Sequence, residues 1–166
     1  MKKLLIVGGL VLILCGNLFG AVYSSMFLPT VKKEQNETLK NAIEIASESA
    51  TGALREVDKY VNKTLFGGRS SNFHSHMTLI GVLALTLSSV VQYFNLSEVM
   101  LKLAIVLLLV GGAFLPSGIF IEMWSIQLGS GISMFGGMCL LLSITIFLIG
   151  AIRMKKVIDS EKEESG

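Results

Sequence analysis

The run LLIVGGLVLILCGNLFGAVYSSMFL, residues 4–28, contains no charged residue. A helix needs about 20 residues to cross a hydrocarbon core of about 30 Å, so this run predicts a first membrane span. Met1-Lys2-Lys3 gives it a basic start. A cleaved signal peptide starts the same way, but its apolar region is usually only about 7–15 residues. Small residues at Gly20, Ala21, Ser24 and Ser25 leave cleavage as the alternative reading. Leu14 before Cys15 does not suit a lipoprotein-type attachment. The whole chain agrees with a membrane class: of 166 residues 52% are hydrophobic and 16% charged, with mean hydropathy +0.68.

Three more apolar runs follow, over about 76–94, 99–121 and 128–152. Within the first span, Gly16-x-x-x-Gly20 leaves a strip on which another helix can approach closely, and Asn17 beside it is expected to hydrogen-bond across helices. Pro29-Thr30 is expected to close the span, because the composition changes there to Lys32, Lys33, Glu34, Glu37 and Lys40. Apolar or small residues then recur at Leu39, Ile43, Ala46, Ala50, Ala53, Val57 and Tyr60, in alternating steps of four and three. That spacing predicts one amphipathic helix over about 38–65, broken by Gly67-Gly68-Arg69-Ser70-Ser71. Its alanine-rich stripe buries little area per turn, so packing on a neighbouring helix is expected in preference to insertion into lipid.

In the third span Lys102 is placed to snorkel, and Pro116 within Leu115-Pro116-Ser117-Gly118 predicts a kink. Trp124 suits an interfacial anchor. Gly129, Ser133 and Gly137 are spaced to form a small-residue packing face in the fourth span. The remainder, residues 153–166, reads as a solvated tail. The fold class is therefore all-α, an integral membrane four-helix bundle with an amphipathic helix between spans 1 and 2.

Lys2 and Lys3 at one end and Arg153, Lys155 and Lys156 at the other fall on one side of a four-span protein. By the positive-inside rule both termini are expected to be cytoplasmic and residues 30–73 extracytoplasmic. That segment carries seven basic and six acidic residues, a balanced and spread charge that translocation tolerates. The net charge is +2, and basic residues are not interleaved with aromatics, so nucleic acid is excluded as a partner. Cys15 and Cys139 lie in apolar runs without ligand-type spacing and read as small hydrophobes.

Both histidines of the chain fall in Asn72-Phe73-His74-Ser75-His76-Met77-Thr78-Leu79-Ile80-Gly81, at the mouth of the second span. In an extended start they would point the same way, whereas on a helix they diverge by roughly 200°. The plain reading is that both line the interface, hydrogen-bonded to backbone, water or headgroups. The functional reading is haem ligation by a neutral imidazole at a helix end.

This stretch resembles the His-x-His, apolar, Leu-x-Gly helix entry of small four-span proteins similar to part of haem-copper oxidase subunit I. The resemblance implies haem b on His74, with His76 the second, more variable polar position. The expected setting is the plasma membrane of a prokaryote, crossed several times. Those relatives tend to carry a further histidine near the outer end of the next helix, where this chain reads Gly111-Gly112-Ala113-Phe114-Leu115-Pro116-Ser117-Gly118. A methionine would then supply the sixth ligand, and antiparallel threading makes Met123 and Met134 the candidates. Methionine is also an ordinary gap-filler, and the chain has eight.

A soft-metal alternative uses His74, His76 and Met77 as imidazole and thioether donors for Cu(I). Catalytic arrangements are not legible: Glu122 and Arg69 are flank charges, and two histidines so placed build no nucleophile triad. The glycine pairs Gly8-Gly9, Gly111-Gly112 and Gly136-Gly137 lie within apolar runs, so no phosphate loop is formed. The expected function is a small non-catalytic membrane protein resembling a truncated oxidase subunit I that binds haem through His74. The competing class is a cofactor-free structural or assembly protein working through its outer helix and bundle surface, alone, with a membrane-complex partner or as a homo-oligomer. Leu39, Ile43, Val57 and Tyr60 would then matter most.

Overall fold

A computed structural model of the chain describes the backbone of residues 2–164 and the side chains of residues 2–153. Every described element is helical: α1 (Lys2–Val22), a π turn (Tyr23–Phe27), α2 (Leu28–Ala46), α3 (Ala50–Val90) ending in a 3₁₀ turn (Val91–Tyr93), α4 (Glu98–Ile121) and α5 (Ile126–Glu164). Among the described residues four helices are long and apolar enough to cross a membrane: Lys2–Ala46, Ala50–Tyr93, Glu98–Ile121 and Ile126–Arg153.

The segment between the first two apolar runs departs from expectation. Pro29 does not end the first helix, because the chain widens just before it. Leu28 N–H reaches back five residues to Tyr23 O, closing a π turn. In a regular helix Pro29 would leave Ser25 O without a donor and press its ring against that carbonyl. The wider turn relieves the crowding, and Ser25 Oγ donates to Ala21 O at 2.7 Å. The helix then continues to Ala46.

The single amphipathic helix expected over 38–65 is instead two antiparallel arms. They meet at a turn over 47–49, where Ser49 Oγ accepts from Gly52 N at 3.1 Å and caps α3. Gly67 and Gly68 do not break α3, which runs past them through both histidines. Rods of 45 and 44 residues result, each about 65 Å long at about 1.5 Å per residue. Apolar sequence occupies only the α1 half of the first rod and the later half of the second, so the polar halves form a two-helix stalk.

The stalk's inner seam is not the one anticipated. Thr38 and Ala42 are the buried residues of α2, while Leu39 and Ile43 are exposed. Lys63 closes the seam with a hydrogen bond to Thr38 Oγ1 at 3.3 Å and an ion pair to Glu34 at 3.2 Å.

In the apolar half, α1 packs on α3, α4 on α5, and α3 on α4. Leu5, Gly9, Leu12 and Gly16 are the buried positions of α1, in steps of four, three and four that put them on one stripe. The shared core joins Leu5, Leu12, Ile80, Ala84, Ile105 and Leu108, with Phe147 from α5. Ser143 Oγ donates to Ala104 O at 2.7 Å, a buried polar tie between α5 and α4. Pro116 is buried within α4, which continues through it to Ile121.

Two packing expectations need correction. Asn17 is exposed and makes no side-chain hydrogen bond among the described residues, because the buried stripe passes through Gly16 one residue earlier. On α5, Gly129 and Ser133 do meet α4 at Gly118, but the next contact is Gly136 and not Gly137. The tail expected over 153–166 begins as a continuation of α5 to Glu164; its side chains beyond residue 153, and residues 165–166 altogether, lie outside the described residues.

A methyl group added at Gly136 would fall on the backbone of Leu115, whereas one at Gly137 would meet only Leu115 Cδ1 at an ordinary 3.6 Å. Gly136→Ala is therefore expected to cost about 1–3 kcal/mol by overpacking, while Gly137→Ala stays within about 0.5 kcal/mol. Thermal unfolding of the two variants in mild detergent checks this.

Candidate functional site

The site lies where α1 gives way to the π turn and faces α3. Gly16 and Gly20 stand one turn apart and leave a notch in α1. His74 fills it: its Nδ1 lies 2.7 Å from Gly16 O. A carbonyl only accepts, so Nδ1 carries a hydrogen, and in a neutral imidazole so held the lone pair belongs to Nε2. The imidazole lies against Gly20 so closely that a Cβ there would sit 2.7 Å from Nδ1. Thr78 and Met77, the next turn of α3, close on Gly16 from below. The glycine spacing and the histidine, two separate signals in the sequence, are thus two halves of one contact.

His76 is placed differently. Its Nδ1 lies 2.8 Å from Asn72 O, four residues earlier on the same helix. Because α3 is helical through this stretch, the two rings diverge as a continuous helix requires, and the extended start does not occur. His74 and Met77 share the face toward α1; His76 does not join them. Among the described residues there is no group of three or more His, Cys, Asp or Glu side chains placed to hold a metal.

Two cavities flank the π turn. One, of about 230 Å³, is wholly apolar and is walled by the rings of Phe19, Tyr23, Phe27, Phe66, Phe120 and Trp124. Phe19, Tyr23 and Phe27 are spaced four apart and stack nearly parallel, at 6.1 and 6.4 Å. Met123 reaches this cavity, whereas Met134 is 69% exposed on α5.

The second cavity, of about 480 Å³, opens between the π turn and α3 and is bordered by Gly20, Lys32, Gln35, Gly67, Ser71 and His74. Tyr23 and Ser70 border both spaces. His74 and Met123 therefore line different cavities with a common wall between them. The structure does not bring the two sequence-proposed axial ligands onto one space.

That wall contains poorly satisfied polar groups. Tyr23 is 9% exposed, and its hydroxyl is buried without a hydrogen-bond partner. Ser70 is 2% exposed, and its hydroxyl reaches only the thioether of Met123 at 4.0 Å, a weak acceptor at long range. Thr78 Oγ1 is likewise buried without a partner. Arg69 and Glu122, flank charges in the sequence, pair at 3.5 Å, and Arg69 Nη1 also donates to Glu122 O at 3.2 Å. This ties the end of α4 to α3 beside the aromatic cavity.

The sequence singled out His74 by its setting and gave no separate place to Tyr23 and Ser70, whose buried hydroxyls the fold brings together. The available signal was the Phe19, Tyr23, Phe27 spacing just before the first proline.

The notch predicts a measurable coupling. Gly20→Ala forces a methyl into the His74 ring, a collision that disappears when the ring is gone. In a double-mutant cycle with His74→Ala, the double variant is expected to be more stable than the sum of the single losses by about 1 kcal/mol; thermal unfolding of the four proteins measures it.

No protein-family model, no curated protein and no solved structure matches this chain.

Proposed function

We propose that the chain is a non-catalytic multi-pass membrane protein of structural or assembly type, which works through its stalk and bundle surface. The carrying observation is the stalk. Two rods about twice the thickness of a hydrocarbon core, with apolar sequence in one half only, put some 20 residues of each arm into water. Large apolar side chains stay uncovered there: Ile43 is 68% and Leu54 64% exposed, and Leu39, Val57 and Val61 are exposed as well. Apolar residues held out on a rigid polar hairpin suit contact with another protein.

Asn17 supports association at the bundle surface. It stands near the middle of the first apolar run, exposed and without a side-chain hydrogen bond among the described residues, and an amide in hydrocarbon is satisfied most cheaply by a partner helix. A second copy offers the same amide by symmetry. With both ends of the chain cytoplasmic the stalk is extracytoplasmic, and a prokaryotic plasma membrane is the setting that agrees with the sequence resemblance.

Native mass measurement of the chain extracted in mild detergent tests this. A defined assembly larger than the monomer is expected, lost in Ile43→Glu/Leu54→Glu while the helix content and melting temperature stay as in the parent. A parent that is monomeric under all mild extraction conditions, or a variant that assembles unchanged, defeats the proposal.

One observation favours a second reading. The Nδ1–H of His74 is held by Gly16 O, the arrangement that fixes a tautomer and presents Nε2 to a metal. His74 and Lys32 both border the cavity of about 480 Å³, and these are the residues that a haem held through one protein ligand, in the manner the resemblance implies, would use. The detergent-purified protein, expressed with ample haem, should then show a Soret band that is lost in His74→Ala; a colourless preparation rules this reading out. His74 with Met77 as copper donors is a weaker form of the same idea, since His76 points elsewhere.

A further inference from the structure

We infer that the outward edge of α3 is the surface on which a second copy of this chain docks, the two α3 helices running parallel in a seam that passes from the stalk into the apolar half. The inference rests on the assembly reading above and names its surface and its partner.

The seam shows in spacing and exposure together. From Val61, steps of four and three taken alternately along α3 lead to Ser89, and every residue reached is exposed. That alternation is the 3.5-residue repeat of two helices wound about each other. Val61, Leu65, Leu79 and Val82 are its large apolar members. Gly68, Asn72, Ser75, Thr86 and Ser89 fill the other positions. Lipid alone has no use for such a face: α1 turns Val7, Leu10, Val11, Leu14 and Leu18 outward, large apolar side chains that acyl chains cover at no loss. A neighbouring helix does have a use for it, since it comes close over glycine and serine and can satisfy an amide. Gly68 is the plainest case. Glycine inside a helix costs about 1 kcal/mol relative to alanine, yet a Cβ there would meet nothing within 4 Å.

The occupant that fits is a second copy. Two copies in one membrane stand the same way up, so their α3 helices are parallel and each position meets its counterpart across a twofold axis. Asn72 makes use of that symmetry. It falls three residues before the next seam position and four after the last, the place in the repeat where one asparagine pairs with its equal and sets the register. Its side chain makes no hydrogen bond among the described residues; only its backbone carbonyl is taken, by His76. No seam position from Val61 to Ser89 is charged, and Arg69 beside the seam is already engaged by Glu122 at 3.5 Å, so two identical faces meet without repulsion. The area is sufficient as well. Leu54 and Val57 prolong the exposed strip up the stalk. A strip about 55 Å long and about 10 Å wide on each copy removes about 1,100 Å² from its surroundings, above the roughly 1,000 Å² at which specific interfaces begin.

Single cysteines in the full chain carrying Cys15→Ser and Cys139→Ser, oxidised with copper phenanthroline in native membranes, test the seam. Asn72→Cys and Leu79→Cys are expected to join two chains, because facing seam positions bring their Cα atoms within disulfide reach. Gly16 and His74 are in contact, so Asn17 lies at about the depth of Asn72, and only one of the two asparagines can meet its own copy on a twofold axis. Asn17→Cys is therefore expected to stay unlinked. Native mass spectrometry over a dilution series in mild detergent reads the dimer itself. Gly68→Ile should raise its dissociation constant about ten-fold, while Gly131→Ile, the same change at an equally open glycine of α5, should leave it as in the parent. Linking at Asn17→Cys with none at Asn72→Cys, or a Gly68→Ile dimer as tight as the parent, overturns the inference and leaves the assembly reading in place. A parent that is monomeric in every mild extraction defeats both.

Discussion

Close backbone approach between helices is the constraint on which this bundle depends. Where helices are apolar on all sides, burial gives little preference for one face over another, and shape decides. Here the shape is supplied by absent side chains. Gly9 and Gly81 face each other, such that a Cβ on either would press on the other's carbonyl at 2.8 and 2.7 Å. Gly111 and Gly136 bring α4 and α5 together in a staggered way: a Cβ on Gly111 would lie 2.7 Å from Gly136 O, and one on Gly136 would fall on the backbone of Leu115. Once these pairs fix the helix registers, the polar ties find their partners: His74 on Gly16 and Ser143 on Ala104. Each tie is worth only about 1 kcal/mol, so it selects a register more than it holds the bundle together.

The sequence made the apolar halves legible and the stalk illegible, for a physical reason. A run of about 20 uncharged residues has few ways to satisfy its backbone in an apolar setting, so helix over 4–28, 99–121 and 128–152 follows from composition alone. Pro29 and Gly67-Gly68 are weaker signals whose usual meaning was reversed by their surroundings. The π turn supplied the space that Pro29 needs. Packing of α2 against α3 held Gly67 and Gly68 helical against their entropy cost of about 1 kcal/mol each. The true break, at 47–49, is marked only by Ser47-Glu48-Ser49 ahead of Gly52, a capping signal inside a continuing apolar stripe.

The candidate site was legible in part. His74 stood out because it is rare in such a setting, and Gly16-x-x-x-Gly20 because its spacing has a packing meaning. That the two are partners is a fact of threading and register. Beyond the Phe19, Tyr23, Phe27 spacing Tyr23 carries no local signal, and Ser70 carries none; a tyrosine near a span end and a serine in a glycine-rich stretch are ordinary. Only the burial of their hydroxyls sets them apart. Met134 is exposed on α5, and the direction in which a methionine faces is again a matter of register that spacing alone does not give.

Thr78 and Tyr23 show what close packing costs in polar groups. Both hydroxyls are buried and unpartnered. Thr78 Oγ1 lies against Gly16, close enough that even a methyl there would sit 2.8 Å away, so no ligand or water has room to reach it from that side. Its loss of about 1–3 kcal/mol is the cost of bringing α1 and α3 together at the notch. Tyr23 Oη pays a similar penalty, since it is as closed as Thr78 Oγ1 although its residue borders a space of about 480 Å³. That cost accompanies the seating of the Phe19, Tyr23 and Phe27 rings in one stack across the π turn, where the contact between rings offsets the hydroxyl left without a partner.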